Sequence, residues 1–274
     1  MVLSRSERGA LARKTKNQHI PVVLKASARA RAGISSSKLL RDLKASPSDS
    51  PGAALPLISV IEADTLQAAF PLATDGNGKV AILSMASELR PGGGFLSGAN
   101  SQEESLCMRT TLYPALRDDF YRLPDVGCIY TQDICVFRGT YPPGGESTAP
   151  GAEVNPPSQW WFVDVISCAA VRGPDVDDNG LSYAVDQQRD LMREKVKCIF
   201  RAAASQGCRR LVLGAFGCGA FGNPPNEVAL LFRRALLGRE GRASEFAGSF
   251  DEVVFAIRGG RQDTLSTFRF VLDV

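Results

Sequence analysis

The chain has 274 residues, 44% of them hydrophobic, and a formal net charge of +3, which allows one sizeable core with an appendage. No run approaches the roughly 18 uninterrupted apolar residues of a membrane span, and the N-terminus lacks the apolar core of a secretory signal, so neither membrane insertion nor secretion is expected. The seven cysteines are scattered without a C-x-x-C pair, so they read as free thiols of an intracellular protein, cytoplasmic or nuclear.

Residues 1–45 carry eleven Lys or Arg against Glu7 and Asp42, so the positive charge is local. Such a segment suits a transit peptide, a nuclear-import patch or a nucleic-acid contact; the plainer expectation is a solvated helical lead-in. His19, the chain's one histidine, lies within it and is expected at the surface. A Ser-His-Asp or Cys-His engine would then lack a well-placed imidazole, which narrows the chemistry to carboxylates, metals or cofactors.

The stretch SPSDSPGAAL at 46–55 has the composition of a linker, and it sets an expected division into a basic, helical extension at 1–50 and one domain at 51–274. Strand and helix patterns then alternate. PLISVI (56–61) precedes a short helix TLQAAF (65–70), and VAILSM (80–85) precedes a helix from about Ser101. CIYTQDICVF (128–137) and WWFVDVISCAAV (160–171) read as strands, followed by a long helix over 187–207. RRLVLGAF (209–216), the helix EVALLFRRALLG (227–238) and EVVFAI (252–257) complete the series. Several strands are continuous apolar runs, as expected where helices cover both faces, and the expected fold is a three-layer α/β/α sandwich. Two loops interrupt the rhythm, a Pro/Gly-rich one at 139–159 and the acidic GPDVDDNG at 173–180.

Three constellations carry possible chemistry. Gly92, Gly93 and Gly94 follow a buried strand and, after seven intervening residues, lead to Gln102, Glu103 and Glu104 at a helix start. Consecutive glycines let backbone approach a bulky ligand and offer N–H donors to it. Ser101 and Glu104 alone have the S-x-x-E spacing of a capping box; a cap needs no glycine run before it, whereas a ribose pocket with a catalytic carboxylate does. In the second constellation, LVLGAFGCGAFGNPPNEVALLF, a strand leads through Gly217, Gly219 and Gly222 to a helix that Asn223 and Pro224 are expected to cap, an arrangement suited to phosphate. It formally matches G-x-G-x-x-G, but no strand ending in an acid follows about 20 positions on, which argues against a dinucleotide fold. The third, Asp175-x-Asp177-x-Asn179-Gly180 with Asp186 at the twelfth position, has calcium-loop spacing but lacks the bidentate Glu, and a solvated acidic loop is the favoured reading.

The pairing of GGG with QEE, and of both with the late GAFGCGAFGNP, resembles the microbial-type poly(ADP-ribose) glycohydrolases over about residues 56–260. That resemblance implies a macrodomain-like fold with a mixed central sheet, no cofactor or metal, and hydrolysis of ribose–ribose O-glycosidic bonds with release of ADP-ribose. The substrate would be poly(ADP-ribose) or an ADP-ribosylated protein, and the enzyme a monomer acting away from membranes. By the same resemblance Glu104 is the catalytic acid and Glu103 positions the terminal ribose. Gly92 to Gly94 lie against that ribose and the diphosphate, with Asn100 and Gln102 among the ligand contacts. Gly217, Cys218, Gly219 and Ala220 cradle the diphosphate, and Phe221 packs on the terminal ribose. Ser87 stands where animal-type relatives have a ribose-contacting Asn, Asp64 where macrodomains place an adenine-binding acid, and Ser84 where an Asn is expected. A mono-ADP-ribosyl-protein hydrolase, acting for example on ADP-ribosyl-arginine, and a non-catalytic ADP-ribose reader are the alternatives.

Overall fold

The computed structural model describes residues 3–44, 54–139, 154–239, 243–258 and 264–273. Most of the expected linker and most of the Pro/Gly-rich loop lie outside the described residues.

Seven strands form one sheet: β1 (Lys38–Arg41), β2 (Leu57–Ile61), β3 (Val80–Met85), β4 (Gly127–Val136), β5 (Trp161–Cys168), β6 (Arg210–Leu213) and β7 (Glu252–Ala256). Their order is β1-β4-β5-β3-β6-β7-β2. The five strands from β5 to β2 run parallel to one another, while β4 is antiparallel to both β5 and β1. The sheet is therefore mixed.

Side chains alternate across the strands, and each face meets its own helices. Leu83, Leu211, Val253 and Phe255 point into a cluster with Met192, Val196 and Phe200 of α6 (Asp186–Ser205), Phe232 of α7 (Pro225–Leu237) and Phe268 of α8 (Thr264–Leu272). Ile82, Val212 and Val254 point the other way, toward Leu66 and Ala69 of α4 (Thr65–Thr74) and Leu106 of α5 (Gln102–Arg109). Helices on both faces give the three-layer α/β/α sandwich.

The basic N-terminal segment is helical: α1 (Arg5–Lys14), a π-helical turn (Thr15–His19), α2 (Ile20–Ala26) and α3 (Ala28–Ser35). It is not merely a solvated lead-in. Ala12, Val23 and Ala30 are fully buried, and a Cβ on Gly33 would lie 2.4 Å from the Asp133 carbonyl oxygen, so α3 rests directly on the backbone of β4. The sequence places a boundary near residue 50, yet the sheet takes its edge strand, β1, from before it.

His19 is corrected from the surface to the interior: it is 9% exposed, and its Nδ1 meets the guanidinium of the buried Arg138. Arg138 also donates to Thr15 Oγ1 at 3.2 Å and to the Met108 carbonyl at 2.7 Å. Burial, with no carboxylate among these partners, pulls the Arg138 guanidinium down to about 10. Hydrophobic collapse of the N-terminal helices against β4 thus carries polar groups inward, which a basic sequence pattern does not reveal.

Candidate active site

Every parallel strand delivers its following loop to one cleft of about 1320 Å³, larger than the ~300–1,000 Å³ of most small-ligand pockets. Ala63 to Thr65 come from beyond β2, Met85 to Ser87 with Leu89 and Arg90 from β3, Ala170 and Arg172 from β5, Ala215 and Gly217 to Phe221 from β6, and Ile257 with Arg258 from β7. Ligands of open α/β sheets gather at these carboxyl ends. Of the site residues expected from sequence, all except Gly92 line the cleft. Gly92 lies behind it, where a Cβ would come within 2.9 Å of the Tyr113 ring.

Helix α5 presents its two acids to the glycine run. Glu104 accepts from the Gly94 amide through Oε1 (2.8 Å) and from the Ser101 amide through Oε2 (3.0 Å), so the expected helix-start contact exists alongside a contact to the loop. Glu103 accepts from the Ser87 amide through Oε2 (2.9 Å). Its other oxygen is buried and has no hydrogen-bond partner among the described residues. Gly93 separates the pair: a Cβ there would sit 2.9 Å from an oxygen of each carboxylate, and its φ of +54° is left-handed. Only glycine meets both demands.

Burial above all, with the nearby Glu104 charge, pushes the Glu103 carboxyl up to about 8 against the pull of the Ser87 and Gly92 amides. The folded chain therefore keeps a proton that the unfolded chain, at the ordinary carboxyl value of 4.5, gives up. The associated stability is complete below about pH 4.5 and is lost as the pH rises through about 8, an effect on the order of 5 kcal/mol. Urea unfolding of wild type and Glu103→Gln should diverge across this window, with wild type losing stability relative to the variant as the pH rises. Parallel pH profiles would refute the assignment.

Gln102 turns away from a purely ligand-facing role. Its Oε1 accepts from the Met85 amide (2.9 Å), and its Nε2 donates to the Leu83 carbonyl (2.6 Å) and to Thr65 Oγ1 (3.2 Å), tying α5 to the end of β3 and to α4. Asp64 caps α4 through the Leu66 amide, and both of its oxygens accept from Arg109 at 2.7 and 2.8 Å. The acid read from sequence as an adenine contact locks α4 to the end of α5. Ser87 offers its amide to Glu103, while its hydroxyl accepts from Leu89 N. Asn100 lines the cleft two residues before α5 begins. Ser84, where an Asn was expected, is fully buried with its hydroxyl unpartnered among the described residues.

The second glycine loop faces the first across the cleft. Gly217, at a φ of +74°, is wedged so that a Cβ would meet Ala170 Cβ and Asn223 Nδ2, each at 2.5 Å, whereas a Cβ on Gly219 meets nothing within 4 Å. Asn223 does not cap α7, as the sequence suggested; its side chain turns inward to the Val171 and Gly217 carbonyls and to the Tyr183 hydroxyl. Pro224 takes the cap position. The loop is closed from within, and the inward-facing amide holds its shape.

Arg172 belongs to no sequence motif. Its guanidinium stacks on Phe221, 4.1 Å from the ring centroid, and makes two hydrogen bonds to Glu88 at 2.6 and 2.8 Å. It thereby joins the β3 and β6 loops at the rim. Its place just beyond a parallel strand is the only signal the sequence held. The Asp175–Asn179 loop closes as a turn, with Asp177 accepting from Leu181 N and Ser182 N. Among the described residues no cluster of His, Cys, Asp or Glu is arranged to hold a metal ion. Nor is any described helix long and apolar enough to cross a membrane.

A mixed α/β sandwich with a carboxylate pair under a glycine loop, opposite a second glycine loop, defines a macrodomain-like protein with a glycosidase-type site. Residues 11–139 match the family model "Microbial-type PARG, catalytic domain", a span that includes the glycine run and both acids. The fold is similar to that of the poly(ADP-ribose) glycohydrolase of Thermomonospora curvata, with a TM-score of 0.78 and 28% identity over 97% of this chain and 99% of that one. The structure of that enzyme bound to the inhibitor ADP-HPD matches with a TM-score of 0.75 at the same identity and coverage. The Deinococcus radiodurans poly(ADP-ribose) glycohydrolase in complex with ADP-ribose gives 0.70 and 26% identity over 90% of this chain and 98% of that one. No curated protein sequence matches. The chain is thus similar to the microbial-type PARG catalytic domain over residues 11–139, and to solved bacterial poly(ADP-ribose) glycohydrolases over 90–97% of its length.

Proposed function

We propose that this chain hydrolyses the ribose–ribose O-glycosidic bond of poly(ADP-ribose) and releases ADP-ribose. The observation that carries the reading is the α5 carboxylate pair, held against Gly93 and Gly94 at the cleft. Glu103 engages a ribose hydroxyl, a role that its buried, unpartnered oxygen supports. Glu104 donates a proton to the leaving ribose oxygen as the C1″–O bond breaks and an oxocarbenium-like centre develops. Water then attacks C1″, and its proton returns to Glu104, so the carboxyl ends the cycle as it began.

Gly217 to Ala220 offer backbone amides to the diphosphate, whose own charge stabilises the developing cation. Phe221, braced by Arg172, packs on the terminal ribose. The enzyme acts inside the cell, as a monomer, on polymer carried by ADP-ribosylated proteins. The test is chromatographic analysis of products from purified poly(ADP-ribose) and from ADP-ribosyl-arginine protein. Release of ADP-ribose from polymer is expected. Release only from the modified protein would replace the substrate, and tight ADP-ribose binding without cleavage of either would make the protein a reader.

A further inference from the structure

We propose that the basic N-terminal helix is a positioning element of the active site, its arginines holding the turn that aims the Gly94 amide at Glu104. This rests on the reading of Glu104 as the catalytic acid. Helix α1 lies against the turn Phe95–Ser97 that follows the glycine run. Arg13 donates to the Leu96 carbonyl (3.2 Å), Arg5 to the Ser97 carbonyl (3.2 Å) and Arg8 to the Gly98 carbonyl (2.9 Å). These are three successive carbonyls at the end of a single helical turn, where backbone acceptors lack partners within the turn and cations are favoured.

The approach is close on both sides. A Cβ on Gly98 would fall 2.0 Å from the Arg5 carbonyl oxygen, and one on Gly9 would lie 3.3 Å from the Leu96 carbonyl oxygen. A solvated charge run predicts neither contact. Held in this way, the turn passes its geometry inward. Phe95 N donates to Gly92 O, Ser97 N and Ala99 N both donate to Gly94 O, and Gly94 N donates to Glu104 Oε1.

A second grip lies one turn further along. Arg138 bridges Thr15, immediately after α1, to the carbonyl of Met108 on α5, the helix that carries both acids. The N-terminal segment therefore touches the loop and the helix between which Glu104 is held. Releasing α1 frees the turn, lets Gly94 N leave Glu104, and loosens the surface against the terminal ribose while the adenosine end of the cleft keeps its shape.

The experiment compares full-length wild type with the triple variant Arg5→Gln, Arg8→Gln, Arg13→Gln and with its triple Lys counterpart. The readouts are kcat and KM on poly(ADP-ribose), calorimetric affinity for ADP-ribose and for AMP, and thermal midpoint. The Gln variant is expected to lose at least about tenfold in kcat, the scale of a misplaced catalytic geometry. Its ADP-ribose affinity should fall while AMP affinity is retained, and Lys, which lacks the guanidinium donors, should not restore it. Unchanged kcat would overturn the proposal, as would full rescue by Lys together with a defect that disappears at high salt, since α1 would then be a contact surface for the polyanion. If the triple variant unfolds, Arg8→Gln alone, removing the shortest of the three bonds, gives the same ADP-ribose-to-AMP comparison. Failure of wild type to cleave polymer would count against the catalytic reading, whereas the binding ratio reports on the helix independently.

Discussion

Glu104→Gln is expected to lower kcat for poly(ADP-ribose) cleavage by about 10³-fold while ADP-ribose still binds. The amide preserves size and can accept from either Gly94 N or Ser101 N, the two donors that now face the separate oxygens of Glu104. Its NH₂ must then face the other donor, a loss of about 1 kcal/mol that leaves the fold intact. What disappears is the proton for the leaving ribose oxygen. Chromatographic rates and calorimetry on the same preparation separate the two effects. Cleavage within tenfold of wild type would remove Glu104 from the role of acid, and loss of ADP-ribose binding would assign it to the ligand instead.

Gly93→Ala is expected to damage cleavage by a different route, losing at least about 100-fold in rate together with ADP-ribose affinity. The methyl group meets an oxygen of Glu103 and an oxygen of Glu104, both at 2.9 Å, and the left-handed φ of +54° adds strain of roughly 1–2 kcal/mol for any side chain. Neither acid can retreat without abandoning the Ser87 or Gly94 amide that it accepts from. The signature is thus a joint failure of binding and turnover, where Glu104→Gln fails in turnover alone. Retained affinity in Gly93→Ala would mean that the glycine is needed for loop geometry and not for the spacing of the acids.

Much of this site could be read in the sequence because its parts are contiguous. The buried run of β3, the glycines and the start of α5 follow one another within thirty residues, and β3 spans Val80–Met85 as its apolar pattern indicates. The second glycine loop is equally local. What escaped depends on partners distant in the chain. β1 is four residues with charged ends, and only its pairing with β4 makes it a strand. Asn223 looks like a cap until Tyr183 and Val171 draw its side chain inward. His19 and Arg138 lie over a hundred residues apart, and neither announces the other. The arginines of α1 read as surface charge because carbonyl oxygens, the groups they bind, leave no mark in a sequence.

The cleft takes its walls from Ala63 through to Ser266, and α1 braces the turn that follows its glycine run. A ribosome would have to deliver residue 266 before the final wall is available, so no shorter nascent chain contains a complete site. Hydrolysis should therefore appear only once residue 266 has been made and folded against the rest, and all at once.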